Sequence, residues 1–273
     1  MLTSGESYIR IEKDTSFILS IVILILIMES LHKIWSRYFG YNWQFGLALI
    51  LLFGVPRFIL VLDANMSGGY GTAFIIFFIM WFTPFIFLTR KGRREIGFKR
   101  PNSYLRLLYS FALGALACGA IYGLFYLFYG NTISNSLVYI SKASTSVVLD
   151  DSHRLIFFLI AAIPSMLFSP IGEEFLYRGV IHGSFVPKFG ETKASLFDSL
   201  AFALTHLAHF GIIFDAGVWK LLPVPALLWV LSMFAVSRLF FACKQMCDSI
   251  FGAVLSHAGY NFAMMYFIFY HIL

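Results

Sequence analysis

The longest apolar stretches of this chain match the length of a helix that crosses a lipid bilayer. A helix rises about 1.5 Å per residue, so about 20 apolar residues span the hydrocarbon core. Eight such stretches follow one another: Phe17–Ile34, Phe45–Leu62, Tyr70–Leu88, Leu105–Tyr129, Leu155–Val186, Leu196–Phe214, Leu221–Phe241 and Ile250–Ile272. The sequence therefore predicts an all-α fold, a polytopic membrane bundle of about eight transmembrane helices.

Two of these stretches are irregular. Glu29 and Ser30 interrupt the first, which is expected to be a retained span because no small-residue cleavage site follows it. The fifth is too long for one straight helix, and kinks are expected at Pro164 and Pro170.

The composition leaves little room for anything outside the membrane. Hydrophobic residues make up 59% and charged residues 12% of the 273, whereas a soluble domain carries roughly twice that charged fraction. A single integral-membrane domain over residues 1–273 is expected. Residues 1–130 are expected to be scaffold helices, and residues 155–265 to carry the chemistry.

The net charge of +6 is explained by membrane topology. One loop concentrates six cations: Arg90, Lys91, Arg93, Arg94, Lys99 and Arg100. The positive-inside rule places such a loop in the cytoplasm. The lipid bilayer is then the partner that the charge pattern implies, and no nucleic-acid partner is expected.

Three apolar helical stretches of the second half contain polar groups that a membrane normally excludes. The segments are Glu173–Arg178, Phe202–His206 and His257–Asn261. An ionisable group at membrane depth costs several kcal/mol, so its presence indicates a function. These side chains are of the types that activate water, and together they predict an intramembrane hydrolase.

Helical spacing suggests how these groups are arranged. Glu174 and Arg178 lie four residues apart on one face and can neutralise each other. Glu173 points about 100° away from Glu174, toward a cavity or another helix, as a general base would. We expect one shared site, because the rise per residue puts all three segments at similar depth in the cytoplasmic half.

Each segment also has a structural interpretation. A lone intramembrane histidine such as His206 is more often a hydrogen-bonded structural residue than a catalyst. The Glu174–Arg178 pair alone could staple a helix, and Asn261 alone could join two helices. A transporter relay is the least favoured alternative, because we find no inverted repeat and all polar groups lie toward one side.

The three segments together resemble the CAAX prenyl protease type II and bacteriocin-processing family, the CPBP or Abi intramembrane proteases. That family combines Glu-Glu-x-x-x-Arg, Phe-x-x-x-His and His-x-x-x-Asn or Asp on three helices. The matching residues are Glu173, Glu174 and Arg178, then Phe202 and His206, then His257 and Asn261. The resemblance covers about residues 160–265, and His209 is not part of the pattern.

The resemblance implies an eight-helix bundle with a cavity open toward the membrane and the cytosol. It implies an endopeptidase that cleaves near the cytoplasmic membrane surface, with Glu173, His206, His257 and Asn261 as catalytic residues. Glu174, Arg178 and Phe202 would support them.

Two chemistries fit this set of residues. In the first, Glu173 and His206 deprotonate a water, while His257 and Asn261 stabilise the oxyanion. In the second, zinc is bound by Glu173, His206 and His257. The chain contains no His-Glu-x-x-His helix, which excludes a standard zincin arrangement. The first chemistry is favoured because it gives a role to both the spare carboxylate and the asparagine. The cofactor stays open: zinc in the second chemistry, none in the first.

Two substrate classes remain open at this point. One is the C-terminal tripeptide of a prenylated protein, and the other is a bacterial peptide or membrane protein. The alternative from a different class is a non-catalytic immunity or partner-binding protein of the same family.

Overall fold

The computed structural model describes residues 30–69, 73–144 and 151–273. The helices, in chain order, are α1 Lys33–Ser36, α2 Trp43–Ser67, α3 Ala73–Phe87, α4 Arg90–Glu95, α5 Tyr104–Tyr129, α6 Ser136–Ser144, α7 Arg154–Glu174, α8 His182–Thr205, α9 Pro223–Cys247 and α10 Ile250–Phe267. The antiparallel strands β1 Ile212–Asp215 and β2 Val218–Leu221 form a hairpin between α8 and α9. Short 3₁₀ turns precede α7 and follow α8, and a π-helical turn ends α10.

Most of these helices have the apolar composition of helices that lie in a bilayer. Among the described residues, α2, α5, α9 and the helical run 154–208 are long and apolar enough to cross a membrane, and α3 contains a shorter apolar helix. Their outward side chains are apolar, as lipid requires; Leu51 and Leu52 are 57% and 59% exposed. The predicted all-α polytopic bundle is confirmed. The first predicted span lies largely outside the described residues.

The fifth predicted span is irregular at a different place from the one expected. Helix α7 continues through both Pro164 and Pro170, and the regular pattern changes only at the π-helical turn Phe175–Ile181. The chain then breaks direction inside α8 at Gly190, whose φ of 72° favours glycine. The π-helical turn directly follows the two glutamates, so the local irregularity lies beside the polar residues.

Helices α5 and α10 approach each other closely enough for backbone contact. A Cβ added to Gly114 would lie 1.7 Å from the Ser256 carbonyl oxygen, and one added to Gly259 would lie 2.0 Å from that of Phe111. Small residues permit such close crossings in membranes. This crossing fixes the height and rotation of α10, which carries His257 and Asn261.

The bundle has two distinct ends. At the basic end, Lys99 Nζ contacts Asp248 Oδ2 at 2.7 Å. At the hairpin end, the Phe214 amide donates to the Tyr139 hydroxyl at 2.8 Å. Tyr41, in the connection before α2, donates to the Val180 carbonyl at 3.0 Å. Burial, and secondarily the charge of Glu95, raises the pKa of Tyr41, so its hydroxyl remains a donor to the π-helical turn.

Candidate active site

The two glutamates at the end of α7 are fully buried and face different partners. Glu173 Oε1 accepts hydrogen bonds from Arg57 Nη2 at 2.9 Å and from Ser169 Oγ at 2.8 Å. Glu173 Oε2 has no hydrogen-bond partner and lies 3.9 Å from His206 Nε2. One oxygen of the carboxylate is therefore held in place, and the other is available to a proton donor.

Arg57, from the middle of α2, extends into this group of residues. It is 1% exposed, and its Nη1 donates to Thr205 Oγ1 at 2.7 Å. Its Nη2 also lies 3.3 Å from Nε2 of His206 and 3.3 Å from Nε2 of His209. In the sequence, Arg57 is an ionisable group inside an apolar span, which is the signal that also indicates Glu173. Unlike Glu173, Arg57 belongs to no motif.

The partners of His206 define its tautomer. Its Nδ1 lies 2.7 Å from the Phe202 carbonyl oxygen, which can only accept, so Nδ1 carries the hydrogen. Its Nε2 faces Arg57, which can only donate, so Nε2 presents a lone pair. The same nitrogen lies 3.9 Å from the unbonded oxygen of Glu173.

His257 is held by the second glutamate. Its Nδ1 lies 2.8 Å from Glu174 Oε1, and Arg178 Nε lies 3.2 Å from Glu174 Oε2. The Phe240 ring stacks on the imidazole with centroids 4.7 Å apart. A histidine backed by a carboxylate in this way is oriented and can carry positive charge during a reaction.

The remaining motif residues complete the wall of the site. Asn261 Nδ2 donates to the Ser165 carbonyl at 2.8 Å, which engages one of its two amide hydrogens. The Phe202 ring lies 4.2 Å from that of His206 and 5.9 Å from that of His257. The Arg178 guanidinium covers the same ring at 4.2 Å. The Phe202 ring thus contacts both the Arg178 guanidinium and the His206 imidazole.

A cavity of about 370 Å³ unites these groups. Its polar lining includes Arg57, Ser169, His206, His257 and Asn261. Glu173 lies directly behind this wall, in contact with two of its members. The volume falls in the range of sites for small ligands or short peptide segments.

The charges of the site balance. Glu173 is paired with Arg57, and Glu174 with Arg178. A buried charge without a partner costs several kcal/mol, whereas matched pairs with further hydrogen bonds are tolerated in lipid. This pairing explains how four ionisable side chains can lie together at this depth.

The zinc ligands that the sequence suggests are Glu173, His206 and His257. Arg57 occupies the position between Glu173 Oε1 and His206 Nε2, where its positive charge opposes that of a dication. In the described ranges, no three His, Cys, Asp or Glu side chains are arranged to hold a metal ion, so these residues as they lie do not fit zinc.

The fold and this polar centre define an integral-membrane helical bundle with a buried site of acid–base residues. Residues 155–263 match the family described as Type II CAAX prenyl endopeptidase Rce1-like. This match supports the resemblance to a membrane-protease family that the motifs predict. It matches no curated protein and no solved structure. Arg57 lies outside the matched segment.

Proposed function

We propose that this protein is an intramembrane endopeptidase in which Glu173 and His206 activate the hydrolytic water. The observation that carries the proposal is the buried oxygen Glu173 Oε2, an acceptor without a hydrogen-bond partner that lies 3.9 Å from His206 Nε2. A single water that makes two hydrogen bonds of about 2.8 Å can bridge acceptors at this separation.

In this mechanism the bridging water donates one hydrogen to each acceptor. Glu173 takes the proton as the water oxygen attacks the scissile carbonyl, and it returns that proton to the leaving amine. His206 orients the water through its lone pair. Both acceptors are held in place by side chains that already have other partners, which reduces the reorganisation that the reaction requires.

His257 and Asn261 are suited to stabilise the oxyanion of the tetrahedral intermediate. Glu174 binds His257 at Nδ1, so the opposite edge of the ring is available to donate from Nε2 when the imidazole is protonated. Asn261 retains a second amide hydrogen beside the one that Ser165 accepts. Arg178 holds Glu174 rather than contacting substrate.

A metal is not needed for this chemistry. Arg57 already supplies positive charge beside Glu173, and the free carboxylate oxygen supplies the base. The mechanism therefore belongs to the glutamate type, with the zinc-dependent version as the alternative that the assay below distinguishes.

An apolar groove supports the proposal that the substrate carries a lipid. The groove, about 540 Å³, lies between α2 and α8 and is lined by side chains such as Leu47, Phe185 and Phe197. It ends at Thr205, which binds Arg57 at the active site. A prenyl chain in the groove would bring an attached C-terminal tail close to Glu173. The second substrate class, a bacterial peptide or membrane protein, would not require this groove.

The depth of the site supports cleavage in the half of the membrane nearer the basic end. His257 is seven residues beyond Ile250, the first residue of α10, a rise of about 10 Å. Glu173 is seven residues before Val180, which Tyr41 contacts at the basic end. If the positive-inside rule holds, this is the cytoplasmic half.

The assay compares purified protein with prenylated and unprenylated peptides. Wild type is expected to cleave, whereas Glu173→Gln and His206→Ala lose at least 100-fold in turnover, an order of magnitude typical of general acid–base groups. The matched control is Asp63→Asn, which neutralises an exposed carboxylate in α2 away from the cavity. It should retain wild-type turnover.

Three outcomes separate the alternatives. Turnover that is equal in wild type and both site variants rejects the enzyme assignment. Activity lost to a chelator, together with one zinc per chain by elemental analysis, favours the metal version. A protective effect against a peptide toxin that survives Glu173→Gln indicates the non-catalytic immunity function.

A further inference from the structure

We propose that Arg57 is the positioning residue of the catalytic glutamate: it keeps Glu173 ionised and directs the unbonded oxygen toward His206. This inference rests on the proposed function for its kinetic consequence, but its electrostatic part can be tested without activity. It assigns a role to a residue of α2, which lies outside the family segment.

The first argument is charge. Glu173 is 0% exposed, and a carboxylate at that burial stays ionised only with a compensating cation. Among the Arg and Lys side chains of the described residues, Arg57 is the one that lies within 4.0 Å of Glu173. Arg178 is engaged by Glu174 at 3.2 Å and by Asp198 at 4.0 Å. Each guanidinium thus serves a different glutamate.

The second argument is direction. Arg57 is anchored at Nη1 by Thr205 at 2.7 Å, and its Cζ lies 5.5 Å from the centre of the Phe77 ring. From this fixed position Nη2 binds Oε1 of Glu173, and Ser169 binds the same oxygen. Both donors select Oε1, so Oε2 is the oxygen that remains for water.

The third argument concerns the histidine. Arg57 Nη2 faces His206 Nε2 at 3.3 Å, and two N–H groups cannot hydrogen-bond to each other. The guanidinium therefore selects the tautomer of His206 in which Nε2, 3.9 Å from Glu173 Oε2, carries no hydrogen. One side chain sets the state of both groups that hold the proposed water.

Lysine cannot replace this arrangement completely. Its ammonium is a compact charge without the planar fork that binds Thr205 and Glu173 at once. Arg57→Lys should therefore keep Glu173 ionised but position it less well. Arg57→Gln should lose the charge as well, and proton uptake by Glu173 is then expected, because an uncompensated buried carboxylate is relieved by neutralisation.

The experiment uses infrared difference spectroscopy of the full-length protein in detergent or lipid. A carbonyl band of a protonated carboxyl group is expected in Arg57→Gln near neutral pH and is expected to be absent from wild type and Arg57→Lys. The double variant Arg57→Gln/Glu173→Gln should lack the band, which assigns it to Glu173. No such band in a folded Arg57→Gln protein would overturn the proposal, whether or not the chain is a protease.

Kinetics provide the second readout. Arg57→Gln is expected to lower kcat by on the order of 100-fold with little change in KM, and to move the acidic limb of the pH–rate profile to higher pH. Arg57→Lys should restore the position of that limb and part of kcat. An unmoved limb in Arg57→Gln, with wild type active, contradicts the proposal but leaves the proposed function intact.

Thr205→Val keeps the proposal testable if Arg57→Gln does not fold. This variant removes the anchor of Nη1 but retains the guanidinium. It should lower kcat by about 10-fold and leave the pH–rate limb in place, since the charge remains. A limb that moves to higher pH in Thr205→Val would show that the anchor, not the charge, controls Glu173, and would overturn the inference.

Discussion

The two imidazoles of the site have opposite surroundings. His206 lies between a carbonyl acceptor and a guanidinium, whereas His257 lies against the carboxylate of Glu174. The two rings therefore lie in opposite electrostatic environments, a cation beside His206 and an anion beside His257. Differences of this kind between neighbouring groups are what separate a base from an acid in one active site.

Glu174→Gln tests this difference at the residue scale. Loss of the negative charge behind His257 should lower kcat by on the order of 100-fold to 10,000-fold with a small change in KM. Removal of one partner of the buried Glu174–Arg178 pair should also lower the free energy of unfolding by about 3–5 kcal/mol. Turnover and thermal unfolding are measured on the same preparation.

Ser237→Ala is the matched control for this variant. Arg178 Nη2 donates to Ser237 Oγ, so the substitution removes a contact of Arg178 without touching His257. It should lower stability by about 1–3 kcal/mol and leave turnover near wild type. Full turnover in Glu174→Gln would exclude a role of Glu174 in orienting His257.

At the element scale, the site depends on how three helices are placed relative to one another. The spacing of residues in the sequence predicts this placement only in part. The i, i+4 spacing predicts the Glu174–Arg178 contact, and this contact is present. The π-helical turn Phe175–Ile181 and the break at Gly190 were not predictable from the prolines, because a helix in a bundle can continue through proline when neighbours satisfy its backbone. These irregular turns decide where the end of α7 lies relative to α8.

Gly114→Ala tests the close crossing of α5 and α10. The added methyl group would overlap the Ser256 carbonyl, so the helices must separate and His257, the next residue, must move. We expect a loss of about 1–3 kcal/mol or more in unfolding free energy and lower turnover in the protein that remains folded. The midpoint of thermal unfolding in detergent and the peptide assay measure both effects.

Gly123→Ala, in the same helix, is the control for that substitution. Its added Cβ has nothing within 4 Å. The substitution should be neutral or stabilise by up to about 1 kcal/mol, because alanine is the better helix former. Equal losses of unfolding free energy from both substitutions would mean that helix α5 tolerates no added methyl group. The close crossing with α10 would then not explain the effect of Gly114→Ala.

At the scale of the whole molecule, the polar centre lies in the basic half and the cavity extends away from it. Ile160, Met264 and Met265 line the cavity at positions farther toward the hairpin end than Glu173 and His257. The basic loop, the turn between α9 and α10, and α4 lie at the opposite end. The orientation of these two ends in a membrane determines which leaflet supplies the substrate.

Labelling of single introduced cysteines determines that orientation. In a bacterial inner membrane, Val218→Cys, 52% exposed in the hairpin, should react with a membrane-impermeant maleimide in intact cells. Arg94→Cys, exposed at the basic end, should react only after permeabilisation, as the positive-inside rule requires. The native cysteines are buried and give little background. The reverse labelling pattern would place the basic end outside the cytoplasm.

The sequence alone determined that this chain is a membrane bundle, because the length of an apolar helix is a local property that bilayer thickness fixes. It also selected Glu173, His206, His257 and Asn261 as residues for one site, because their spacing on apolar helices is local too. Only the tertiary structure brought Arg57 to Glu173, across a separation of 116 residues, and left one carboxylate oxygen unbonded. Which helices meet, and at what height, is decided by packing between distant segments, and no local pattern in the sequence records it.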